Sequence, residues 1–314
     1  MIDRLLRALG ERATLVLALG VFVAIAVPPV ASLLRPLLAS AMFAVLTLSI
    51  LVIEPRAMAA AGRRPWRTAV AVVWLLLVSP LAMTAILAVV PAPPGVGMAL
   101  ILFAALPPIT AVPAYALLMG LESAFAVVVL ATASLAAPLL LPPVALALLG
   151  IQLEIAVFDL MLRLASMIGG AFVLAWLIRR TVGGAAIAAR SVQLNGTIVL
   201  LMLVLAIAIM DGVTVVAAAR PALMASLVVA AFAANVSFQA LGAIVALPFG
   251  RGAALTMGLC SGYRNLALLL AVLGDAATLE FSMFVAAGQL PIYLMPAIQR
   301  PLYRRLRDRG AQGS

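Results

Sequence analysis

One arginine sits where a charge is least at home. Arg264 lies in "LCSGYRNLALLLAVLG" (259–274), between Tyr263 and Asn265 and just before the unbroken apolar run 266–273. At mid-bilayer such a charge costs about 2.5–3.5 kcal/mol by insertion scales. A guanidinium offers a planar fork of donors that suits a carboxylate. It can therefore bind an anion directly or act as a fixed positive charge. No acid stands within four residues, so its partner must come from another segment or from a wet cavity.

Other polar groups lie at comparable depth. Ser261, Tyr263 and Asn265 flank the arginine, and "LPPITAVPAYALLMG" (106–120) supplies Thr110 and Tyr115. Asn235, Ser237, Gln239 and Gln289 interrupt two further apolar runs. Asn235 and Gln239 are four apart and share one helix face. Hydrogen bonding between helices is the ordinary use of such residues in a membrane, and lining a site is the alternative. Asp159 and Arg163, also four apart, have the order of a helical ion pair. Thr132 and Ser134 can return hydrogen bonds to their own helix.

Enzymatic chemistry lacks equipment here. The chain has no histidine and a single cysteine, Cys260, with no second thiol and no base near it in sequence. That pattern suggests a small apolar role. The acids fall at the ends of apolar runs and in loops. The Gly-Gly pairs at 169–170 and 183–184 are not followed by lysine in phosphate-loop spacing. No catalytic residue and no metal-ligand cluster is expected.

The elements that must position these groups follow from composition. Of 314 residues, 67% are apolar and 10% charged, with a mean hydropathy of +1.28. Soluble proteins carry nearer a quarter charged residues, so this is an all-α polytopic membrane protein. The net charge of +10 is no nucleic-acid signal, because all twenty basic residues are arginines gathered at the ends of apolar runs. Total use of Arg over Lys, with abundant Ala, suggests a GC-rich bacterial genome and hence an inner membrane. The C-terminal "RPLYRRLRDRG" reads as topology and anionic-lipid contact. No obligate protein partner is evident.

Breaks at Arg, Gly and Pro clusters divide the chain into ten apolar segments. They fall near 13–30, 36–55, 67–91, 96–120, 123–150, 156–178, 192–211, 220–247, 252–274 and 279–299. With both termini cytoplasmic, sixteen arginines lie inside and only Arg35 and Arg220 outside, while Arg163 and Arg264 fall within spans. This is the bias that positive-inside topology predicts. Two five-span halves, 1–150 and 151–314, then have opposite orientation, and an inverted repeat is expected.

A shift of 154 residues lays "LPPITAVPAYALLMG" over "CSGYRNLALLLAVLG". Pro107, Pro108 and Pro113 cannot donate backbone hydrogen bonds, and residues before proline avoid helical angles. Span four should therefore be discontinuous near its centre. Span nine has only Ser261-Gly262 as a weak breaker, and its interruption is expected from the repeat. Paired broken helices in two halves point to a transporter binding site. Their half-helix N-termini suit carboxylates.

In this plan, and in "PPITAVPAYALL" and "SGYRNLALLLAVL", the chain resembles the bile acid:sodium symporter family. The resemblance implies that spans 4 and 9 cross at their unwound centres. It also implies a core of spans 3–5 and 8–10 working against a panel of spans 1, 2, 6 and 7. Substrates would be organic anions, carboxylate-type or amphipathic acids, moved by alternating access and commonly driven by sodium. Thr110-Ala111, Gly262 and Asn265 match the family pattern. The Ser-Asn pair that helps hold sodium is Val112-Pro113 here, its acidic ligand is Cys260, and its Gln is Arg264. Span 67–91 has no glutamine to complete a sodium shell.

These departures imply altered or absent sodium coupling, with Arg264 as a fixed stand-in for the ion or as the anion's own partner. The expected substrate or ion site is Thr110, Ala111, Pro113, Tyr115, Gln239, Ser261, Tyr263, Arg264, Asn265 and Gln289. An auxin-efflux-carrier-like exporter of organic acids and a non-transporting membrane sensor are the alternatives.

Overall fold

The computed structural model describes residue 6 and residues 13–53, 64–150 and 155–311. All regular structure among the described residues is helical. Seven helices among them are long and apolar enough to cross a membrane: α2 (Pro28–Val52), α3 (Pro65–Val89), α6 (Ser123–Leu149), α7 (Val157–Val182), α9 (Ser191–Ile209), α11 (Pro221–Val245) and α14 (Leu279–Ala311). The chain is thus an integral membrane protein.

The other expected spans are shorter as continuous helix. α1 (Ala13–Ala26) has 14 residues. Span four is split into α4 (Pro94–Ala105) and α5 (Val112–Met119). Span nine is split into α12 (Arg251–Gly262) and α13 (Leu266–Leu273). Each broken segment is a 12-residue helix, a gap, and an 8-residue helix. The short connecting helices are α8 (Gly184–Ala189) and α10 (Val213–Ala219).

Several boundaries differ from those read off the sequence, each for a local reason. The first connection lies at Val27, not beside Arg35. Pro28 and Pro29 open α2, and the residue before a proline leaves helical angles, as Val27 does at φ −129°, ψ 72°. Arg35 sits instead in a 3-10 turn, Arg35–Leu37, within α2. At the other end α14 continues well past residue 299, because arginine is a good helix former. Arg163 makes no pair with Asp159. Its Nη1 donates to Val272 O at 3.3 Å, in the last turn of α13.

The elements around the breaks pack tightly. α12 lies closest against α11, where a Cβ added to Gly262 would meet Asn235 O at 2.5 Å. Glycine is what lets the two backbones approach. α13, a wholly apolar half-helix, packs between α2 and α7.

Candidate functional site

The first break is opened by proline. α4 stops at Ala105, and Leu106, which precedes Pro107, is extended at φ −80°, ψ 151°. The chain resumes helix at Val112, with Pro113 in the first turn, where a missing N–H costs nothing. The second break occupies residues 263–265 and contains no proline.

The two gaps meet. Pro108 and Arg264 pair as an antiparallel bridge. Ile109 N donates to Tyr263 O, and Asn265 N to Pro107 O, both at 2.9 Å. Buried backbone groups freed by the breaks thus satisfy one another, as they must where no water is at hand.

Arg264 completes the junction. Its side chain is fully buried, with 0% exposure. Nε donates to Ser261 O at 2.7 Å, Nη1 to Leu75 O at 3.0 Å and to Leu106 O, and Nη2 to Ser79 Oγ at 2.9 Å. The Phe238 ring lies beneath, 6.0 Å from Cζ to the centroid. Every hydrogen-bond partner is a neutral oxygen, so the positive charge is not compensated by an acid. A charge-assisted hydrogen bond is worth about 1.5–3 kcal/mol. Two of the four therefore offset an insertion cost of roughly 2.5–3.5 kcal/mol.

Each acceptor is free for a local reason. Ser261 and Leu106 lie at helix ends, where the last carbonyls lack intrahelical donors. Leu75 is in mid-helix, but α3 widens into a π turn at Trp74–Val78. Ser79 N bonds Trp74 O there, and the next donor along would be Pro80, which has none. The π turn leaves Leu75 O to side chains, namely the guanidinium and Ser79 Oγ, which stands 2.9 Å from it. Ser79 Oγ stands 2.5 Å from Ala104 O as well, so α3, α4 and α12 are joined around one side chain. Trp74 Nε1 adds a bond to Ser261 Oγ at 2.9 Å.

Beside this junction lies a partly open cavity with an empty volume of ≈ 440 Å³, mouth included. One wall is Met42 and Val45 of α2 with Met202, Leu205 and Ile209 of α9. The other is Ile109 and Thr110 of the first break, Asn265 to Ala267, and Gln289, Ile292 and Tyr293 of α14. Most of this lining is apolar, and no Asp, Glu or Arg belongs to it.

The polar groups converge at the break side. Asn265 caps α13 by accepting from Leu268 N at 3.2 Å through Oδ1. Gln289 Nε2 donates to Val285 O within its own helix. The Asn265 amide NH2, the Thr110 hydroxyl and the start of α13 then offer donors to a guest.

Of the sequence-predicted residues, Thr110, Asn265 and Gln289 line the cavity. Ala111 and Pro113, both half-buried, carry the chain into α5. Arg264 stands behind the cavity wall, bound to its own protein. Ser261 is buried between Trp74 and Met257 O. Tyr115 donates to Ile292 O at 3.2 Å and meets the Tyr263 ring edge-on at 5.3 Å. Tyr263 donates to Gln299 Oε1 at 3.0 Å. Gln239 lies outside the cavity, bonded to Asn235 and Tyr303. Cys260 is buried.

Sequence reasoning missed Ser79, Leu75 and Tyr293. Ser79-Pro80 in mid-span was the available signal for the first two. Tyr293 gave none beyond its depth. No family model matches the chain, and no curated protein matches it.

Proposed function

We propose that the chain is a secondary transporter of an organic anion, of the bile acid:sodium symporter type. Ten spans would form a 5+5 inverted repeat, halves 1–150 and 151–314, with both termini cytoplasmic in a bacterial inner membrane. Three observations support this plan. α5 and α13 have the same length and stand 154 residues apart at both ends. The breaks run antiparallel where they meet. The cavity lies between α2 and α9, spans of the proposed panel, and the breaks and α14 of the proposed core.

The observation that carries the substrate class is the buried, acid-free Arg264 behind a donor-rich, otherwise apolar cavity. An anionic head placed at Asn265, Thr110 and the N-terminus of α13 gains from that charge without touching it. In a low-dielectric setting such an interaction reaches over several ångströms. Met42, Val45, Met202, Leu205 and Ile209 would take an apolar body. Movement of the core against the panel would then expose the cavity to each side in turn.

Sodium does not fit the junction as it stands. Oxygens of Ser261, Leu75, Leu106 and Ser79, which could surround a small cation, already receive the guanidinium. Arg264 supplies a positive charge that never leaves.

Uptake of labelled taurocholate by proteoliposomes tests the reading, since that permanently ionised acid does not cross lipid unaided. Uptake should saturate and should persist when choline replaces sodium. Lack of uptake and of thermal stabilisation by taurocholate and by a panel of smaller carboxylates, with folded protein, would remove the transporter reading and favour the sensor.

A further inference from the structure

A chain of buried side chains reaches the second break from the far half of α14. Tyr303, 6% exposed, donates through its hydroxyl to Gln239 Oε1 at 2.6 Å. Gln239 Nε2 donates to Asn235 Oδ1 at 2.6 Å. Asn235 Nδ2 donates to Gly262 O at 2.8 Å, the last residue of α12. Asn235 and Gln239 are 1% and 5% exposed, so each bond is shielded from competing water or lipid.

The chain has a direction. Gly262 O can only accept, so Asn235 must turn its NH2 toward it. Asn235 Oδ1 is then left for the Gln239 NH2, and Gln239 Oε1 for the Tyr303 hydroxyl, which meets it as donor. Without Tyr303, Gln239 Oε1 is left buried with no donor, and Gln239 must shift to regain one, loosening the bond that holds Asn235 against Gly262 O. α14 makes a second tie through Gln299, one turn before Tyr303 on the same face, which accepts from Tyr263. Two adjoining residues, Gly262 and Tyr263, are thus held from α14, and the cavity residue Asn265 follows two positions later.

We infer that Tyr303 is a positioning residue for the second break. Through Gln239 and Asn235 it fixes the end of α12, and so the place of Asn265 and the donors of α13. The bearing of this on anion affinity rests on the transporter reading; the mechanical claim does not.

Cys260 makes the test direct, as the chain's one cysteine and a buried residue two positions before Gly262. Its alkylation by N-ethylmaleimide reports opening of the last turn of α12. In the full chain, Tyr303→Phe should raise that rate about tenfold, the factor set by losing one buried hydrogen bond. Asn235→Ala should raise it at least as much, and the double variant no further than Asn235→Ala alone, because members of one network are not additive. Gln239→Met, which cuts both links and keeps the volume, should match Asn235→Ala and carries the test if Tyr303→Phe does not fold.

An unchanged rate in Tyr303→Phe, even with a lowered melting temperature, would overturn the inference. So would effects that multiply in the double variant. Taurocholate affinity should fall with the same ranking. If neither taurocholate nor the smaller carboxylates bind the wild-type protein while the Cys260 ranking holds, the transporter reading falls and the positioning role stands.

Discussion

The two breaks do one job by different means. The first, at 106–111, is imposed by covalent chemistry. Pro107 and Pro108 remove donors, and Leu106 is pushed out of helical angles wherever the segment is placed. The second, at 263–265, has no such residue and is held open from outside. Arg264 takes Ser261 O, Asn265 N reaches across to Pro107 O, and the Asn265 side chain starts a new helix at Leu268 N. A helix can be broken by what its residues cannot do, or by what its neighbours offer. Only the second kind depends on the rest of the fold.

The largest effect should come from Arg264→Ala. Two backbone oxygens, those of Leu106 and Ser261, lose the guanidinium as donor in a buried place, while Leu75 O keeps Ser79 Oγ at 2.9 Å. At about 1–3 kcal/mol for each unsatisfied group, the loss should be at least about 2 kcal/mol. A marked drop in melting temperature checks it, with partial recovery in millimolar guanidinium. Stability equal to wild type would show that the second break is not held by this side chain.

Asn265→Ala should cost less, about 1 kcal/mol for an N-cap. It also removes an amide from the cavity wall, so taurocholate affinity should fall several-fold, measured by thermal shift against concentration. A stability loss with affinity unchanged would confine Asn265 to capping. Smallest of all should be Pro108→Ala, within about 1 kcal/mol in denaturant unfolding. Pro107 remains to set Leu106, and the bonds across the bridge involve neighbours of Pro108. A large loss there would mean that the first break, too, is held mainly by its partner.

This contrast explains what could be read in advance. The proline break was legible near the centre of its span, since a missing N–H is a property of the residue itself. The gap at 263–265 was reached only by analogy with the first, Ser261-Gly262 being weak punctuation. Within the candidate site, Gln289 was legible as a polar group at depth, Thr110 and Asn265 as matches to the family pattern, and all three line the cavity. For Arg264 and Gln239 a partner on another segment was one of the readings, but which partner was not legible. Ser79 and the Leu75 carbonyl were invisible as partners of Arg264, because a π turn is a matter of backbone register rather than residue type.

Hydropathy and the absence of ionisable chemistry were enough to establish an integral membrane protein of apolar helices. Those quantities are sums over residues and need no knowledge of neighbours. Which oxygens receive the guanidinium, which amide faces the cavity and which is tied to Tyr303 were decided only when segments up to 189 positions apart came together. In an apolar medium every buried donor must find an acceptor, and the acceptors exist only where the folded backbone leaves them free.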